Sequence, residues 1–224
     1  MFPRYFKVLS EIHQLLQPSN YLEIGSRHGK SLKLSNCPSI AIDPEFNIKE
    51  EILAPTRFYK RTSDAFFKEV NVLEIFKNRV DFAFIDGMHH AEFTLRDFIN
   101  VERLIHTRSV VVIDDVLPKE IAQASRTFQK GFWTGDVYIL LLILNKFRPD
   151  LNISVIETQF KGVAVVTKMD SDSKVLFNNY PAIEKDILAG NYNLESIESI
   201  RNNFSFASMK DLSKIIPRKH HEEA

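Results

Sequence analysis

Cysteine is all but missing from this chain. Cys37 is the only one in 224 residues, which rules out an intramolecular disulfide and a cysteine-based zinc site. An excess of charge of either sign is missing too: 29 Lys and Arg balance 29 Asp and Glu. A broad electrostatic footprint for nucleic acid is therefore not expected, although the balance leaves room for a local patch. The longest aliphatic run, Ile139 to Leu144, is far too short to span a bilayer. The N-terminus, Met1-Phe2-Pro3-Arg4-Tyr5-Phe6-Lys7, lacks the basic-then-apolar order of a signal peptide. No fixed-period repeat is visible. These absences lead to the expectation of a soluble cytoplasmic chain with no membrane span, sized for one domain with appendages.

What is present starts at Tyr21-Leu22-Glu23-Ile24-Gly25-Ser26-Arg27-His28-Gly29-Lys30-Ser31. An apolar run with an acidic residue, then two glycines four positions apart, predicts a buried strand, a tight turn and a helix start. Gly25 can take the positive φ of a sharp turn, and Gly29 lets the next helix come close. Ser31 sits where a hydroxyl can satisfy free N–H groups at a helix N-terminus. Such a turn at the carboxyl end of a strand is where open α/β sheets bind nucleotide-like ligands. A dinucleotide site would need G-x-G-x-x-G, whose second glycine lets the backbone touch a pyrophosphate. Arg27 stands at that position, and a third correctly spaced glycine is missing.

Strand and helix patterns alternate along the chain. Residues 4–16 carry Tyr5, Val8, Leu9, Ile12, Leu15 and Leu16 at helical spacing. A short helix is predicted over 29–35 and strands over 39–43, 58–63, 80–86 and 109–115. Amphipathic helices are predicted over 65–78 and 90–105. Uninterrupted alternation means βαβ units and a parallel sheet, and near-continuous apolar strands mean that both faces are covered. Pro118 suits the first turn of a helix through Phe128. A loop follows at 131–136, then an apolar helix over 137–147. Strands at 152–157 and 162–167 are close enough for an antiparallel hairpin. Helices are predicted over 181–188 and 194–203, with a frayed polar tail at 219–224.

Carboxylates end several of these strands. Asp43 lies 18 residues after Gly25, near the offset at which an acidic residue meets ribose hydroxyls. Asp64 stands where it can cap the helix predicted after it. Asp86 and the Asp114-Asp115 pair end neighbouring strands, so their carboxylates converge beside the glycine turn. Three such charges repel unless a cation or shared protons compensate. Oxygen-only ligands favour Mg²⁺ or Mn²⁺. The alternative is that one aspartate caps a helix and another faces solvent. His89 either accepts a substrate proton or holds an aspartate in place. His90 reads as a surface helix residue, and Asp97 as a residue that orients or caps within its helix. Phe132 and Trp133 form either a lid over the site or the apolar start of the next helix.

The glycine turn resembles the first motif of class I S-adenosylmethionine-dependent methyltransferases. The set Asp86, Gly87, His89, Asp97, Asp114 and Asp115, with Trp133-Thr134-Gly135-Asp136-Val137, is similar to the subgroup of macrolide and aminocoumarin sugar O-methyltransferases. Ala91 departs from that subgroup, where many relatives carry an aromatic residue. The resemblance covers residues 19–168. It implies a Rossmann-like fold with a mostly parallel seven-stranded sheet, a terminal antiparallel hairpin and C-terminal helices. Residues 1–18 form an N-terminal helix in this division, and 169–224 a helical appendage on the core or on another subunit. A homo-oligomer is left open.

The resemblance also implies methyl transfer from S-adenosylmethionine to a hydroxyl of a small-molecule or glycan acceptor, with a sugar leading, assisted by Mg²⁺ or Mn²⁺. Cofactor contacts are expected from Glu23, Gly25, Ser26, Gly29, Ser31, Asp43, Asp64 and Asp86, and metal contacts from Asp86, Asp114 and Asp115. Asp86 or His89 would take the proton. The competing readings are a metal-independent methyltransferase acting on another small molecule or a lipid, and a binding protein that keeps the fold without turnover.

Overall fold

Near-continuous apolar runs commit each central strand to two covered faces, and the computed structural model, which describes residues 2–128 and 130–217, shows both covers. Strands β1 (Tyr21–Ile24) and β2 (Ser39–Ile42) are buried at every position. Strand β4 (Val80–Ile85) is buried except at Asp81, and β5 (Ile105–Ile113) is buried over its last five residues. Strand β3 (Thr56–Tyr59) lies at one edge and is half-exposed. The hairpin strands β6 (Asn152–Glu157) and β7 (Gly162–Thr167) stand at the expected places.

The sheet order is β3-β2-β1-β4-β5-β7-β6, extended by an eighth strand, β8 (Phe206–Ala207), parallel to β6. Strands β3, β2, β1, β4 and β5 are parallel. Strand β7 runs antiparallel to both β5 and β6. The chain leaves β1 toward β2 and β3, then returns to place β4 on the other side of β1. The crevice beyond the carboxyl ends of β1 and β4 is thus the topological switch point where such sheets bind ligands.

One sheet face carries Leu22, Ile24, Ala83, Ile85, Val111 and Ile113 against α4 (Ala91–Glu102), α5 (Tyr138–Phe147) and α6 (Val175–Leu188). The other carries Tyr21, Phe82, Phe84, Val110 and Val112 against α1 (Tyr5–Leu16), whose Val8, Leu9 and Ile12 are fully buried. No helix among the described residues is long and apolar enough to cross a membrane.

Several predicted elements differ. The helix expected over 65–78 is two: Ser63–Glu69, capped by the Thr62 hydroxyl, and Val72–Phe76, separated where Val70 turns extended. The helix over 29–35 shrinks to a 3₁₀ turn, Leu32–Leu34. The helix over 118–128 is only a 3₁₀ turn, Ile121–Ala124. That segment has no apolar face to bury, since Ile121 is exposed, and its carbonyls serve the next loop: Gln123 accepts from Thr134 N–H and Ser125 from Trp133 Nε1–H. Helix α6 starts at Val175, with Pro181 inside it, and a shorter helix spans Ile197–Asn202. Residues 219–224 lie outside the described residues.

Candidate active site

Parallel pairing brings three strand ends level. Gly25 N–H donates to the Ile42 carbonyl at 2.8 Å, Asp86 N–H to Ile24 at 2.9 Å and Asp114 N–H to Ile85 at 3.0 Å. The glycine turn therefore abuts the first aspartate, and the first aspartate abuts the pair. A cavity of about 640 Å³ opens over them, lined on one side by Gly25, Ser26, Ser31, Asp43 and Asp64, and on the other by Asp86, His89 and Lys161.

On the turn side, Gly25 and Gly29 both have positive φ, +90° and +77°. Glu23 is fully buried, yet each carboxylate oxygen is met: Tyr21 donates to Oε2 at 2.6 Å and the Ser31 hydroxyl to Oε1 at 2.9 Å. Burial, only partly offset by those hydrogen bonds, lifts the Glu23 pKa to about 7. Asp43 accepts the Arg27 N–H at 2.9 Å and the Glu45 N–H at 2.7 Å, so it fixes the loop around the turn. Asp64 lines the cavity and is gripped by Arg96, with contacts of 2.7 and 3.0 Å. The capping role open to it falls to Thr62, whose hydroxyl accepts the Ala65 N–H. Asp97 sits in the middle of α4, where it caps nothing; it is buried beside Gly87 at the cavity wall, and burial lifts its pKa to about 7.

On the other side, His89 is held from behind. Its Nδ1 lies 3.2 Å from the Trp133 carbonyl, which can only accept, so Nδ1 carries a proton and Nε2 faces the carboxylates. Nε2 is 3.1 Å from Asp115 and 3.5 Å from Asp86. Burial alone would lower the His89 pKa, but the Asp115 charge and the Asp86 hydrogen bond and charge outweigh it and raise it to about 9. The imidazole is therefore charged at neutral pH. The Trp133 ring stacks on it at 5.0 Å, and Trp133 Nε1–H is tied to Ser125, so this ring is a fixed wall. Phe132 is the exposed aromatic of the loop and stacks on Phe160. His90 is not a free surface residue: it precedes the first turn of α4 and its ring meets the Arg126 carbonyl at 2.9 Å.

Asp114 and Asp115 are 2% and 1% exposed. Burial pushes both carboxyls up against the pull of Lys161. Asp115 adopts φ +63°, a left-handed conformation that aspartate tolerates better than most residues. Lys161, which sequence reasoning passed over, reaches both: its Nζ is 2.9 Å from Asp114 Oδ2, 2.9 Å from Asp115 Oδ1 and 3.0 Å from Asp115 Oδ2. Burial opposes its charge, but the Asp114, Asp115 and Asp86 charges more than compensate and raise its pKa. The available signal was topological, because the first residues of a strand antiparallel to β5 must lie beside the end of β5. Tyr5 of α1 also lines the cavity and was missed as a site residue.

Residues 22–116 match a family model described as a methyltransferase domain. No curated protein matches the chain. Among solved structures, the fold is shared with the O-methyltransferase TomG from Streptomyces achromogenes, involved in tomaymycin synthesis and determined in complex with SAM. The TM-score is 0.57 at 18% identity, over 74% of this chain and 80% of that one. It is shared with the O-methyltransferase from Bacillus cereus in complex with SAH, at TM-score 0.51 and 15% identity, over 72% and 79% of the two chains. It is shared also with the SAH-bound Podospora anserina methyltransferase PaMTH1, at TM-score 0.53 and 12% identity, over 74% and 78%. The chain therefore has the fold of these S-adenosylmethionine-dependent methyltransferases, and residues 22–116 resemble a methyltransferase domain.

Proposed function

We propose that this methyltransferase moves a methyl group from S-adenosylmethionine to a hydroxyl oxygen of a small acceptor, a sugar by resemblance. The observation that carries the reading is one cavity lined by both the glycine turn and the Asp86–His89 pair, with Asp115 held behind it at 3.1 Å from His89. The cofactor would lie across Glu23 to Gly29, with Asp43 toward the ribose and Asp64 toward the adenine. Its sulfonium methyl would then face Asp86 across the switch point. Attack by the acceptor oxygen forms the O–CH₃ bond and breaks the S–CH₃ bond, leaving S-adenosylhomocysteine and one proton. Asp86 takes that proton, because of the three clustered aspartates it is the one that lines the cavity, and His89 is already charged. His89 holds Asp86 and Asp115 in place. Holding both reactants in line supplies much of the rate enhancement.

A second reading adds a divalent cation, which would polarise the acceptor hydroxyl. It is favoured by Asp86, His89 and Asp115, which each offer one ligand atom within 4.8 Å of the others. The all-oxygen set of Asp86, Asp114 and Asp115 suits an ion less well while Lys161 sits between the last two.

Calorimetric titration with S-adenosylhomocysteine tests the cofactor assignment, and a radiolabelled methyl-transfer assay over a panel of sugars tests the acceptor. Micromolar binding with label appearing in a sugar is expected. Tight NAD binding with none for S-adenosylhomocysteine would remove the methyltransferase reading.

A further inference from the structure

We infer that Lys161 is the resident cation of this site: its ammonium bridges Asp114 and Asp115 in place of a divalent ion, and methyl transfer proceeds without metal. The inference rests on the reading above and deepens it.

The two carboxylates are withdrawn from solvent, so a cation or a shared proton has to compensate them; His89 serves Asp115 alone, at 3.1 Å. Lys161 serves both, with three contacts of 2.9 to 3.0 Å. Mg²⁺ binds carboxylate oxygens at about 2.0–2.1 Å. An ion on these same oxygens would collide with the ammonium and be repelled by its charge. Asp86, by contrast, lines the cavity and has His89 as its partner, with Nε2 at 3.5 Å.

Placement of the lysine is built into the backbone. The turn between β6 and β7 is closed by Thr158 N–H donating to the Lys161 carbonyl at 2.8 Å. Val116 N–H donates to the Gly162 carbonyl at 3.1 Å, which fastens the start of β7 to the segment after Asp115. A Cβ on Gly162 would stand 2.6 Å from the Leu117 side chain, so only glycine lets the two segments approach this closely. The Lys161-Gly162 pair thus delivers an ammonium to the end of β5. Lys161 also lines the cavity. An ammonium has three N–H donors; one goes to Asp115 Oδ2, which leaves a donor for the acceptor oxygen, where positive charge stabilises the developing alkoxide.

Mn²⁺ binding, read by the electron paramagnetic resonance of free Mn²⁺, separates the resident lysine from a metal site independently of turnover. The parent protein is expected to leave millimolar Mn²⁺ free and to keep full turnover after metal stripping in excess chelator. Lys161→Ala is expected to lose roughly 100-fold or more in turnover, to bind S-adenosylhomocysteine as the parent does, and to gain Mn²⁺ binding at least about tenfold tighter. Lys161→Met, which keeps the apolar stem, replaces it if the alanine variant does not fold. Stoichiometric Mn²⁺ binding by the parent, or loss of parent turnover in chelator, would overturn the inference, as would full metal-free turnover by either variant. Absence of S-adenosylhomocysteine binding sinks the methyltransferase reading instead, and the Mn²⁺ titrations still decide the role of Lys161.

Discussion

Asp97 and Glu23 each keep a carboxyl group in a dry place, and burial lifts both to a pKa of about 7. An unfolded carboxyl titrates near 4. Between about pH 4 and 7 the folded chain therefore retains protons that the unfolded chain has released, and stability falls as pH rises through that window. Below it both states are protonated and the penalty vanishes. Asp97→Asn removes one of these groups at nearly constant shape. The melting temperature should rise at pH 7.5 and stay almost unchanged at pH 4; an equal change at both values would contradict the burial argument. Gly25 is constrained differently. Its φ is +90°, and a Cβ would lie 1.8 Å from the Asp86 carbonyl oxygen. Gly25→Ala should cost at least about 2 kcal/mol, seen as a lowered midpoint in urea. A variant as stable as the parent would show that the β1 and β4 ends are not locked together.

The loop Trp133-Thr134-Gly135-Asp136 acts as one element with the start of α4. A Cβ on Gly135 would stand 1.7 Å from the His89 carbonyl oxygen, so the loop backbone rests directly on the histidine. Asp136 accepts the Ala91 N–H at 2.8 Å, meeting the positive end of α4. Arg126 pairs with Asp136 and reaches both oxygens of Glu92, at 2.6 and 3.0 Å. This is a brace behind His89 more than a moving cover. Gly135→Ala should displace the His89 backbone and lower kcat about tenfold or more, with S-adenosylhomocysteine affinity unchanged because the glycine turn lies across the cavity. Calorimetry beside steady-state kinetics separates the two. A parallel loss of affinity and kcat would show that the loop supports the whole cavity.

At the scale of the molecule, helix α6 closes the core on the α4 and α5 side. Leu176, Ile183 and Ile187 are at most 2% exposed. Arg96 joins α6 to the cofactor side of the cavity, bonding Tyr180 and Glu184 as well as Asp64. We therefore expect Ile183→Ala to destabilise the entire chain by about 2–5 kcal/mol in one cooperative transition. A separate early transition, with the rest melting as before, would instead make residues 169–224 an independent appendage.

The sequence alone determined the features that depend on neighbours along the chain. Near-continuous apolar runs specified the buried strands, the 3.6 period of residues 4–16 specified α1, and Gly25 and Gly29 marked the turn. Unbroken alternation then implied the parallel order, which carried Asp86 and Asp114 to one edge beside the turn. Where a segment had no apolar face, as in 118–128, local propensity suggested a helix that packing did not reward. Tertiary structure decided what depends on contacts between distant segments. Lys161 meets Asp115 across 46 residues only because β7 inserts antiparallel between β5 and β6. Gly135 reads as a loop residue until the fold sets it against His89, and β8 joins the sheet although two residues are too few to show a period. The positions of the carboxylates follow from where the apolar strands end, but the lysine beside them is chosen by which strand end the sheet places next to theirs.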